Sequence, residues 1–533
     1  MIWPNYFWVN RVTLSIFVDM FIRKRKNKSG TTSVVVVDKS SGKFKELKTI
    51  GVASDEESIM ALEMEARRWI NDYTGQVALD FDESEKALMS AKETISRIER
   101  TLQNTPQVIL SHIYDSIGFN AIEDDILRHL VIARVCQPQS KVATAEYLKT
   151  YFDEDVRLHN IYRYMDKLYS TQRETVQRIS VEHTMRVLGG RIGLVFYDVT
   201  TLYFESMPQP DDELRQAGFS KDGKTSESQI VLGLLVSEDG YPLSYSIFNG
   251  SQYEGRTMIP IIDDFVQRFH LTDFVVVADS GLMSARNVKL LEDAGYKYIL
   301  GARIRSESPV IKEWMLSLDK TDGNVSEFAK ESGQRLIVSY SDLRARKSAW
   351  NRDKGVERLR KAYAKGTLTK ENVNKRGYNK FLEISKDITV RIDEDKIFDD
   401  ARWDGLKGYV TNTDLPVDEV IAQYHGLWVV ERAFRIGKGT LEMRPMFHFT
   451  EKRIEAHICI CFIAYKVYKE LERRLKLENV RMSVDKVLEV AKTITTIKIR
   501  LPNGSMHSET LFTTPQQKAL KPLLDSLARD TLA

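Results

Sequence analysis

Cysteine is scarce in this sequence, with three residues in 533 at Cys136, Cys459 and Cys461. Three thiols without a CxxC pair give no disulfide framework, which is typical of a protein from a reducing compartment. His457 and Cys461 share one helix face at i, i+4, whereas Cys459 lies on another face. A zinc site and ordinary core packing are both open interpretations of this short cluster.

A long uninterrupted hydrophobic run is also lacking. The first 19 residues are apolar and aromatic, but Asn5, Asn10, Arg11 and Asp19 interrupt them, so the segment is unsuited to span a bilayer. No small-residue cleavage site follows, and the basic cluster comes after the apolar run, the reverse of a signal peptide. We therefore predict a cytoplasmic protein with no membrane partner. Met20 is an alternative start, in which case residues 1–19 are an upstream extension.

The chain has little net charge, because its 78 Lys and Arg residues nearly balance its 75 Asp and Glu residues and leave a formal charge of +3. This balance hides a basic segment at 344–380, where 13 Lys/Arg stand against three acidic residues and three aromatic residues are interleaved. Such runs are often only solvated surface, but one this one-sided favours a polyanion partner. The candidate contact residues are Arg344, Arg346, Lys347, Arg358, Arg360 and Lys361.

The first third of the chain combines a hairpin pattern with helical patterns. Residues 31–50 alternate on both sides of a Ser-Ser-Gly turn, which predicts a β-hairpin. Helical periodicity follows over 56–76, 84–102 and, with short polar breaks, 105–187. Within the last segment, 141–151 and 157–168 are a candidate helix-turn-helix that binds DNA, and a generic helical bundle is the alternative.

At residue 191 the periodicity changes from helix to strand. Three strands are predicted at 194–204, 230–236 and 243–248. They are followed by a helix capped by Thr257, a strand at 274–278, a helix at 284–294 and a strand at 298–301. Because the first three strands predict an antiparallel meander, this is the element order of an RNase H-like fold. We therefore predict an α/β protein with an RNase H-like mixed-sheet core, preceded by a helical N-terminal domain.

The core pattern is interrupted after residue 301. Residues 302–405 contain only short strand-like runs, at 335–340 and 388–392, around the basic segment. A strand at 407–411 resumes the core, and an amphipathic helix at 452–475 follows. We therefore expect the basic segment to lie in an insertion within the core.

One helical stretch places a carboxylate where an apolar residue is normal. At 3.6 residues per turn a single stripe contains Tyr424, Leu427, Glu431, Phe434 and Lys438. This spacing predicts that Glu431 lies on the buried face, where an unpaired charge is costly. Glu431 therefore either pairs with Arg435 one turn on or holds a metal ion.

Two further acidic residues occupy unfavourable positions. Asp198 lies in the middle of a β-branched and aromatic strand, and Asp279 ends a buried strand, where α/β sheets bind their ligands. Hard carboxylate ligands such as Asp198, Asp279 and Glu431 suit Mg²⁺ or Mn²⁺. Two such ions, roughly 4 Å apart, would serve phosphoryl transfer.

The motifs around these residues resemble the DDE transposases of bacterial insertion sequences, in the class with a Y-x2-R-x3-E-x6-K signature. Tyr424, Glu431 and Lys438 match that signature in type and spacing, and Leu427 replaces its Arg. The resemblance covers residues 190–475, with the segments YDVTTLYFE, GFSKDGK, QIVLGLLVSEDGYPL, VVADSG, GAR and RPMFHFTEKRIEAH.

The resemblance implies an RNase H-like core with a β-rich insertion and three catalytic, metal-binding residues, Asp198, Asp279 and Glu431. It also implies a DNA partner, namely terminal inverted repeats and target DNA, contacted by Tyr424 and Lys438, with Arg432 or Arg435 in place of the signature Arg. We expect two Mg²⁺ ions, a homodimer in the DNA complex and a nucleoid-associated location.

Two other functions are alternatives to an active transposase. The first is a decayed or co-opted transposase-derived protein that binds DNA without transposition, and the second is an RNase H-type nuclease. The long basic insertion and the Tyr-Glu-Lys helix argue against the nuclease.

The expected domain organisation follows from these patterns. The divisions are 1–80 for the N-terminal extension with hairpin and helix, 81–188 for a helical DNA-binding domain, 189–303 and 406–480 for the two parts of the catalytic core, 304–405 for the basic insertion, and 481–533 for a C-terminal helix and hairpin.

Overall fold

The computed structural model describes residues 20–74, 81–204, 213–218, 227–271, 273–374, 377–384 and 389–532. The chain divides into two compact units, one that ends at Ile98 and one that begins at Glu99. The predictions for residues 1–19, for most of the GFSKDGK segment and for residue 388 lie outside the described residues. Of the helices in the described ranges, none has the length and apolar character needed to cross a membrane.

A three-stranded antiparallel sheet and two helices make up the first unit. Its elements are β1 (Met20–Lys26), β2 (Thr32–Asp38), β3 (Lys45–Ala53), α1 (Glu56–Thr74) and α2 (Phe81–Ser96). The predicted hairpin is confirmed as β2 and β3, which pair antiparallel. Val34 and Val36 of β2 are buried in one cluster with Ala66 of α1. The sequence analysis missed β1, an edge strand whose exposed charged residues hide its periodicity.

Helices dominate the next part of the chain. The elements are β4 (Ile98–Leu102), α3 (Thr105–Ile117), α4 (Asp125–Cys136), α5 (Lys141–Tyr147), α6 (Leu158–Lys167) and α7 (Arg173–Val187). The helix predicted over 84–102 is too long, since its end is the strand β4. Buried residues of these helices, such as Ile113, Leu130 and Ile161, belong to one continuous hydrophobic cluster with the central sheet. The helices therefore share one hydrophobic core with the central sheet, and the helical DNA-binding domain at 81–188 stays a prediction.

The central sheet has the predicted strand order. Its first elements are β5 (Leu194–Tyr203), β6 (Gln216–Ala217), β7 (Ser228–Ser237), β8 (Pro242–Asn249), α8 (Met258–Phe269), β9 (Val275–Ala278), α9 (Ala285–Asp293) and β10 (Lys297–Ala302). The spatial order is β8-β7-β5-β9-β10; β7 is antiparallel to β5 and β8, whereas β9 is parallel to β5 and β10. This confirms the RNase H-like core.

One detail of the predicted core differs. Thr257 stands at the start of α8, but its hydroxyl donates to the Glu254 carbonyl at 2.6 Å and caps no amide of the helix.

The inserted segment extends the same sheet. Its elements are α10 (Pro309–Ser317), β11 (Val325–Ala329), β12 (Arg335–Tyr340), α11 (Asp342–Ala364), β13 (Leu382–Ile384), β14 (Val390–Ile392) and α12 (Glu394–Ala401), and β15 (Leu406–Thr411) follows. β15, β12 and β11 continue the sheet beyond β10. The described part of the insertion thus contains strands, as expected, but most of the basic residues lie on the 23-residue helix α11.

The C-terminal part covers one face of the sheet with helices. It contains α13 (Val417–His425), α14 (Trp428–Arg435), α15 (Glu451–Leu477), α16 (Val484–Ala491), β16 (Thr495–Arg500), β17 (Met506–Leu511), α17 (Pro515–Lys518) and α18 (Lys521–Leu532). Phe196 of β5 packs on this side in the cluster that includes Tyr424 and Ile458. Tyr197 belongs to the opposite cluster with Ile262 and other residues of α8.

Candidate active site

Two predicted acidic residues occupy neighbouring positions on adjacent parallel strands. β5 and β9 pair in parallel, with Tyr197 opposite Ala278. Asp198 is the next residue on β5 and Asp279 directly follows β9, so their backbones are about one strand spacing apart, ~4.8 Å. Ligand sites in open α/β sheets form at such carboxyl ends. The fold therefore brings together two residues that are distant in sequence.

Asp198 lies on the face of the sheet that α13 and α14 cover. Side chains alternate along β5, so Asp198 shares its face with Phe196. The Phe196 ring contacts Gly426, where a Cβ atom would come within 2.4 Å of the ring. Gly426 therefore allows the α13–α14 segment to approach the sheet beside Asp198. The half-buried Asp198 carboxylate accepts a 2.8 Å hydrogen bond from the Val199 amide.

Asp279 is exposed, and two neighbours fix its position. Its Oδ1 accepts a 3.0 Å hydrogen bond from the Tyr424 hydroxyl. Burial and the nearby Asp279 raise the pKa of Tyr424 well above its ordinary value, so the hydroxyl stays protonated as a donor. The Arg303 guanidinium donates to the carbonyl oxygens of Ser280 and Gly281, both at 2.9 Å, which holds the turn after Asp279.

Lys407 on β15 lies beside this acidic group. Its half-buried amine is 4.4 Å from the centre of the Tyr424 ring. Burial lowers the pKa of Lys407 and Arg344 lowers it further, while Asp279 and Glu431 act in the opposite direction. Both carboxylates also raise the pKa of Tyr424. Asp279 and Glu431 therefore lie within electrostatic range of the same two side chains.

Sequence analysis missed Lys407 and had only the GAR motif to indicate Arg303. The available signal for Lys407 was a lysine in the otherwise apolar strand LKGYVT, where charge is disfavoured as it is at Asp198.

The predicted stripe around Glu431 is interrupted in the structure. α13 ends at His425 and α14 begins at Trp428, so the helical phase is not continuous from Tyr424 to Glu431. Tyr424 is buried, as the stripe predicts, whereas Glu431 is exposed. The prediction of a buried Glu431 was therefore wrong. Among the residues that the structure describes, Glu431 has no ion-pair partner, and Arg435 is not one.

An ionic network attaches α14 to α15. Arg432 and Lys469 both donate hydrogen bonds to Glu472, with a Lys469 Nζ to Glu472 Oε2 distance of 2.5 Å. Burial alone would raise the pKa of Glu472, but the hydrogen bonds from Arg432 and Lys469 outweigh it and lower the pKa to about 2. Because Arg432 adjoins Glu431, this network fixes the rotation of α14 and keeps Glu431 turned outward.

The DNA-contact residues predicted near Glu431 differ in accessibility. Arg435 is exposed, and Lys438 is half-buried in a wider π-helical turn at Ile436–Thr440. Tyr424 is 4% exposed and bonded to Asp279, so its ring is not available to stack on a base. The structure gives Tyr424 a structural contact beneath the site, and its predicted contact with DNA stays a prediction.

The basic helix α11 begins next to the candidate site. Arg344, near its N-terminus, lowers the pKa of both Lys407 and His425, which places its charge close to them. Arg346, Lys347 and Arg358 are exposed, and within the described ranges they form no ion pair.

Other basic residues of α11 have acidic partners. Arg360 pairs with Glu394 at 2.9 Å and Lys361 with Glu357 at 2.6 Å. The buried Arg352 donates two 2.7 Å hydrogen bonds to Asp404, which anchors α11 to the turn before β15. The segment is thus partly an anchored helix and partly an exposed cationic surface.

A divalent metal site was predicted from Asp198, Asp279 and Glu431. In the described part of the chain, no group of three or more His, Cys, Asp or Glu side chains lies close enough to hold a metal ion. The structure therefore does not show the predicted convergence. The donor chemistry still fits a hard cation, because Glu431 has no ion-pair partner in the described ranges and Asp279 uses only Oδ1 in its bond to Tyr424.

Comparison with known proteins identifies a family. Residues 189–466 match the family described as Transposase DDE domain, a match that covers more than half of the chain and includes Asp198, Asp279 and Glu431. Among curated proteins, no sequence matches. The cryo-EM structure of a piggyBac transposase synaptic complex with hairpin DNA is similar at a TM-score of 0.39 and 9% identity, over 72% of this chain and 76% of that chain.

Proposed function

Because the chain belongs to the transposase DDE domain family, we propose that it binds the ends of a mobile DNA element and catalyses Mg²⁺-dependent cleavage and strand transfer there. The narrower assignment to insertion-sequence transposases of the Tyr-Arg-Glu-Lys class is supported by Tyr424, Glu431 and Lys438 at the signature spacing. Mn²⁺ is the alternative ion.

One observation carries the proposal: Asp198 and Asp279 stand side by side at a strand end, and both Asp279 and Glu431 act on Lys407 and Tyr424. A cationic side chain beside carboxylates suits a reaction in which a phosphodiester has to approach acidic metal ligands. Lys407 would offset part of the repulsion between those carboxylates and an entering phosphodiester.

Each residue of the candidate site would have its own role in the reaction. Asp198, Asp279 and Glu431 would hold the divalent ions, which when bound activate the attacking oxygen and stabilise the leaving oxygen. Tyr424 orients Asp279 through one oxygen and leaves the other for a ligand. Arg303 keeps the turn after Asp279 in place through its two carbonyl contacts.

The DNA partner would lie along a cationic path. Lys407 and Arg344 lie beside the acidic group, and Arg435 and Lys438 follow Glu431 at the end of α14 and in the π-helical turn after it. α11 extends the path with exposed arginine and lysine side chains. Lys438 would hold a phosphate as a point charge. We include in this proposal the terminal inverted repeats and target DNA as substrates, a homodimer in the DNA complex, and a nucleoid-associated location.

The test compares Asp198→Asn, Asp279→Asn and Glu431→Gln in the full chain on DNA that carries the element's ends. Each should lower Mg²⁺-dependent cleavage at least about a hundredfold, equivalent to ~3 kcal/mol of transition-state stabilisation, and change DNA affinity less than about threefold. Asp273→Asn is the matched control, because Asp273 is exposed near the start of β9 and pairs with Arg191 at 2.6 Å. Full cleavage by all three variants would contradict the proposal.

A second candidate is a chain that binds DNA without cutting it. Two observations favour it: Leu427 stands where the signature has Arg and is buried, and the described acidic residues form no three-ligand cluster. The same assay decides between the two candidates. Binding of element ends without cleavage in Mg²⁺ or Mn²⁺ by the unaltered protein would establish the second.

A further inference from the structure

A cavity of about 180 Å³ lies away from the carboxylates, between the helices α4 to α6 and the segment that leads into α15. Its polar lining consists mainly of Arg134, Lys141, Tyr162, Glu442, His448 and His457. The residues come from three different parts of the chain, so only the fold assembles them. The cavity is large enough for a ligand of several heavy atoms, since one water needs only about 10–15 Å³.

Lys141 is the unusual residue of this cavity. Its side chain is 4% exposed, yet among the described residues its ammonium has no hydrogen-bond acceptor and no carboxylate partner. Arg134 is also buried and uses one nitrogen to donate to the Gln139 carbonyl at 2.9 Å. Two buried cations without a counter-ion are unfavourable unless an anion compensates them. Burial, with a smaller effect of Arg134, lowers the pKa of Lys141 to about 7.

Two buried histidines complete the cavity lining without adding a charge to it. His457 is buried; its Nε2 lies 3.3 Å from the Met443 carbonyl oxygen and carries the proton, so its Nδ1, which has no hydrogen-bond partner among the described residues, is an acceptor. His448 is buried beside it, with the ring centres 5.3 Å apart. The single carboxylate of the lining, Glu442, is exposed. Burial holds the pKa of both histidines far below its ordinary value, so the positive charge that the lining offers to a ligand comes from Lys141 and Arg134.

We propose that this cavity binds a phosphate group, with Lys141 and Arg134 as its charged ligands and His448 and His457 completing the lining. Phosphate matches guanidinium and ammonium donors in charge and in hydrogen-bond geometry. The same chemistry is available from two sources, free inorganic phosphate and a phosphodiester of a DNA strand. The cavity joins α5 and α6, the predicted helix-turn-helix pair, to the segment 442–448 that follows Lys438, so an occupant would hold these parts together.

The test uses the full chain, freed of phosphate and kept at constant ionic strength with chloride. We expect titration with sodium phosphate to give saturable one-site binding in calorimetry and a rise of the melting temperature. Lys141→Met should weaken phosphate binding at least tenfold and remove that rise. In phosphate-free buffer it should melt no lower than the unaltered protein, because it removes an uncompensated buried charge. Lys149→Met, at an exposed lysine two turns further on, is the matched control and should behave like the unaltered protein.

A duplex oligonucleotide distinguishes the two sources. If Lys141→Met also weakens duplex binding and free phosphate competes with the duplex, the occupant is a DNA phosphate. If only phosphate binding is lost, the occupant is the free ion. Both results support the phosphate site, and neither depends on cleavage activity, so failure of the catalytic proposal would leave them unchanged.

Three results would overturn the proposal. These are the absence of any phosphate effect beyond that of chloride, unchanged phosphate binding in Lys141→Met, and a large loss of stability in that variant without phosphate. Arg134→Gln is a second variant and should also weaken phosphate binding, because it removes the other cationic ligand. Anomalous scattering from crystals of the unaltered protein soaked in tungstate gives an independent measurement, which must place the oxyanion next to Lys141.

Discussion

Tyr424 connects the sheet edge to the helix pair above it at the scale of a single residue. Its hydroxyl bond to Asp279 is worth about 1.5 kcal/mol, the lower end for a charged acceptor, because Asp279 is exposed. We predict that Tyr424→Phe lowers cleavage about tenfold, reduces the free energy of unfolding by ~1 kcal/mol and leaves DNA affinity unchanged.

Tyr409→Phe is the matched control for Tyr424→Phe. Within the described part of the chain its buried hydroxyl has only long contacts of 3.4 Å, to Ser339 and to His425, so its removal should cost less than about 0.5 kcal/mol. Cleavage kinetics and urea unfolding measure both effects. A Tyr424→Phe variant with the unaltered cleavage rate would show that the hydroxyl does not position Asp279.

Glu472 makes a second residue-scale prediction, on pH. Its pKa in the folded protein is about 2, below the ordinary 4.5, so the folded state binds fewer protons than the unfolded state between these values. The stabilisation is therefore complete above pH ~4.5 and is lost as the pH falls towards 2. After allowance for partial solvent exposure, we expect it to amount to about 1–2 kcal/mol.

Urea unfolding between pH 6 and 2.5 measures this contribution. Glu472→Gln should flatten the acid limb of the stability curve, while Glu489→Gln, at an exposed glutamate paired with Lys486, should not. If the Glu472→Gln curve ran parallel to that of the unaltered protein, the network with Arg432 and Lys469 would not stabilise the fold through charge.

At the scale of secondary-structure elements, the exposed surface of α11 has an electrostatic role that can be tested. Arg346 and Lys347 are adjacent, exposed and without ion-pair partners among the described residues. If both contact phosphates, the double variant Arg346→Ala/Lys347→Ala should reduce the slope of log affinity against log salt by about 2, equally for all DNA sequences.

The control for the α11 variant removes two positive charges from another part of the surface. Lys518 and Lys521 are exposed near the C-terminus, and the double variant Lys518→Ala/Lys521→Ala should leave the salt slope unchanged. Filter-binding or anisotropy titrations over a range of salt concentrations measure both slopes. Equal slopes in the two double variants would show that α11 is only a solvated surface.

At the scale of the whole molecule, the helices α3 to α7 depend on the rest of the second unit. Their buried residues share one hydrophobic cluster with the sheet and with α15, which is buried along most of its length. We predict that a fragment of residues 99–533 unfolds in one cooperative transition. A fragment of residues 81–188 should lack a stable fold, because it exposes the apolar faces that this cluster covers.

Circular dichroism and nuclear magnetic resonance of the two fragments test this dependence. A well-dispersed spectrum and a sharp melting transition from residues 81–188 alone would contradict it. That result would instead show that the helical DNA-binding domain predicted at 81–188 folds by itself.

The sequence by itself determined the order of the core elements and the positions of two site residues. Strand periodicity, turn residues and the continuous apolar run before Asp279 are local properties, and they sufficed to predict strands β5, β7, β8, β9 and β10 in RNase H-like order. Once that order is known, the parallel pairing of β5 with β9 places Asp198 beside Asp279. Local pattern was enough because each of these features depends on residues close in sequence.

The tertiary structure alone decided the features that depend on distant partners. The end of α13 lies at Gly426 against Phe196, which is far away in the chain, so the stripe from Tyr424 to Lys438 could not reveal that Glu431 is exposed. In the same way, only packing shows that Lys407 adjoins Asp279 and that Lys141 is buried with no counter-ion among the described residues. Helical phase and charge runs describe one segment at a time, whereas burial is a property of the surfaces that meet.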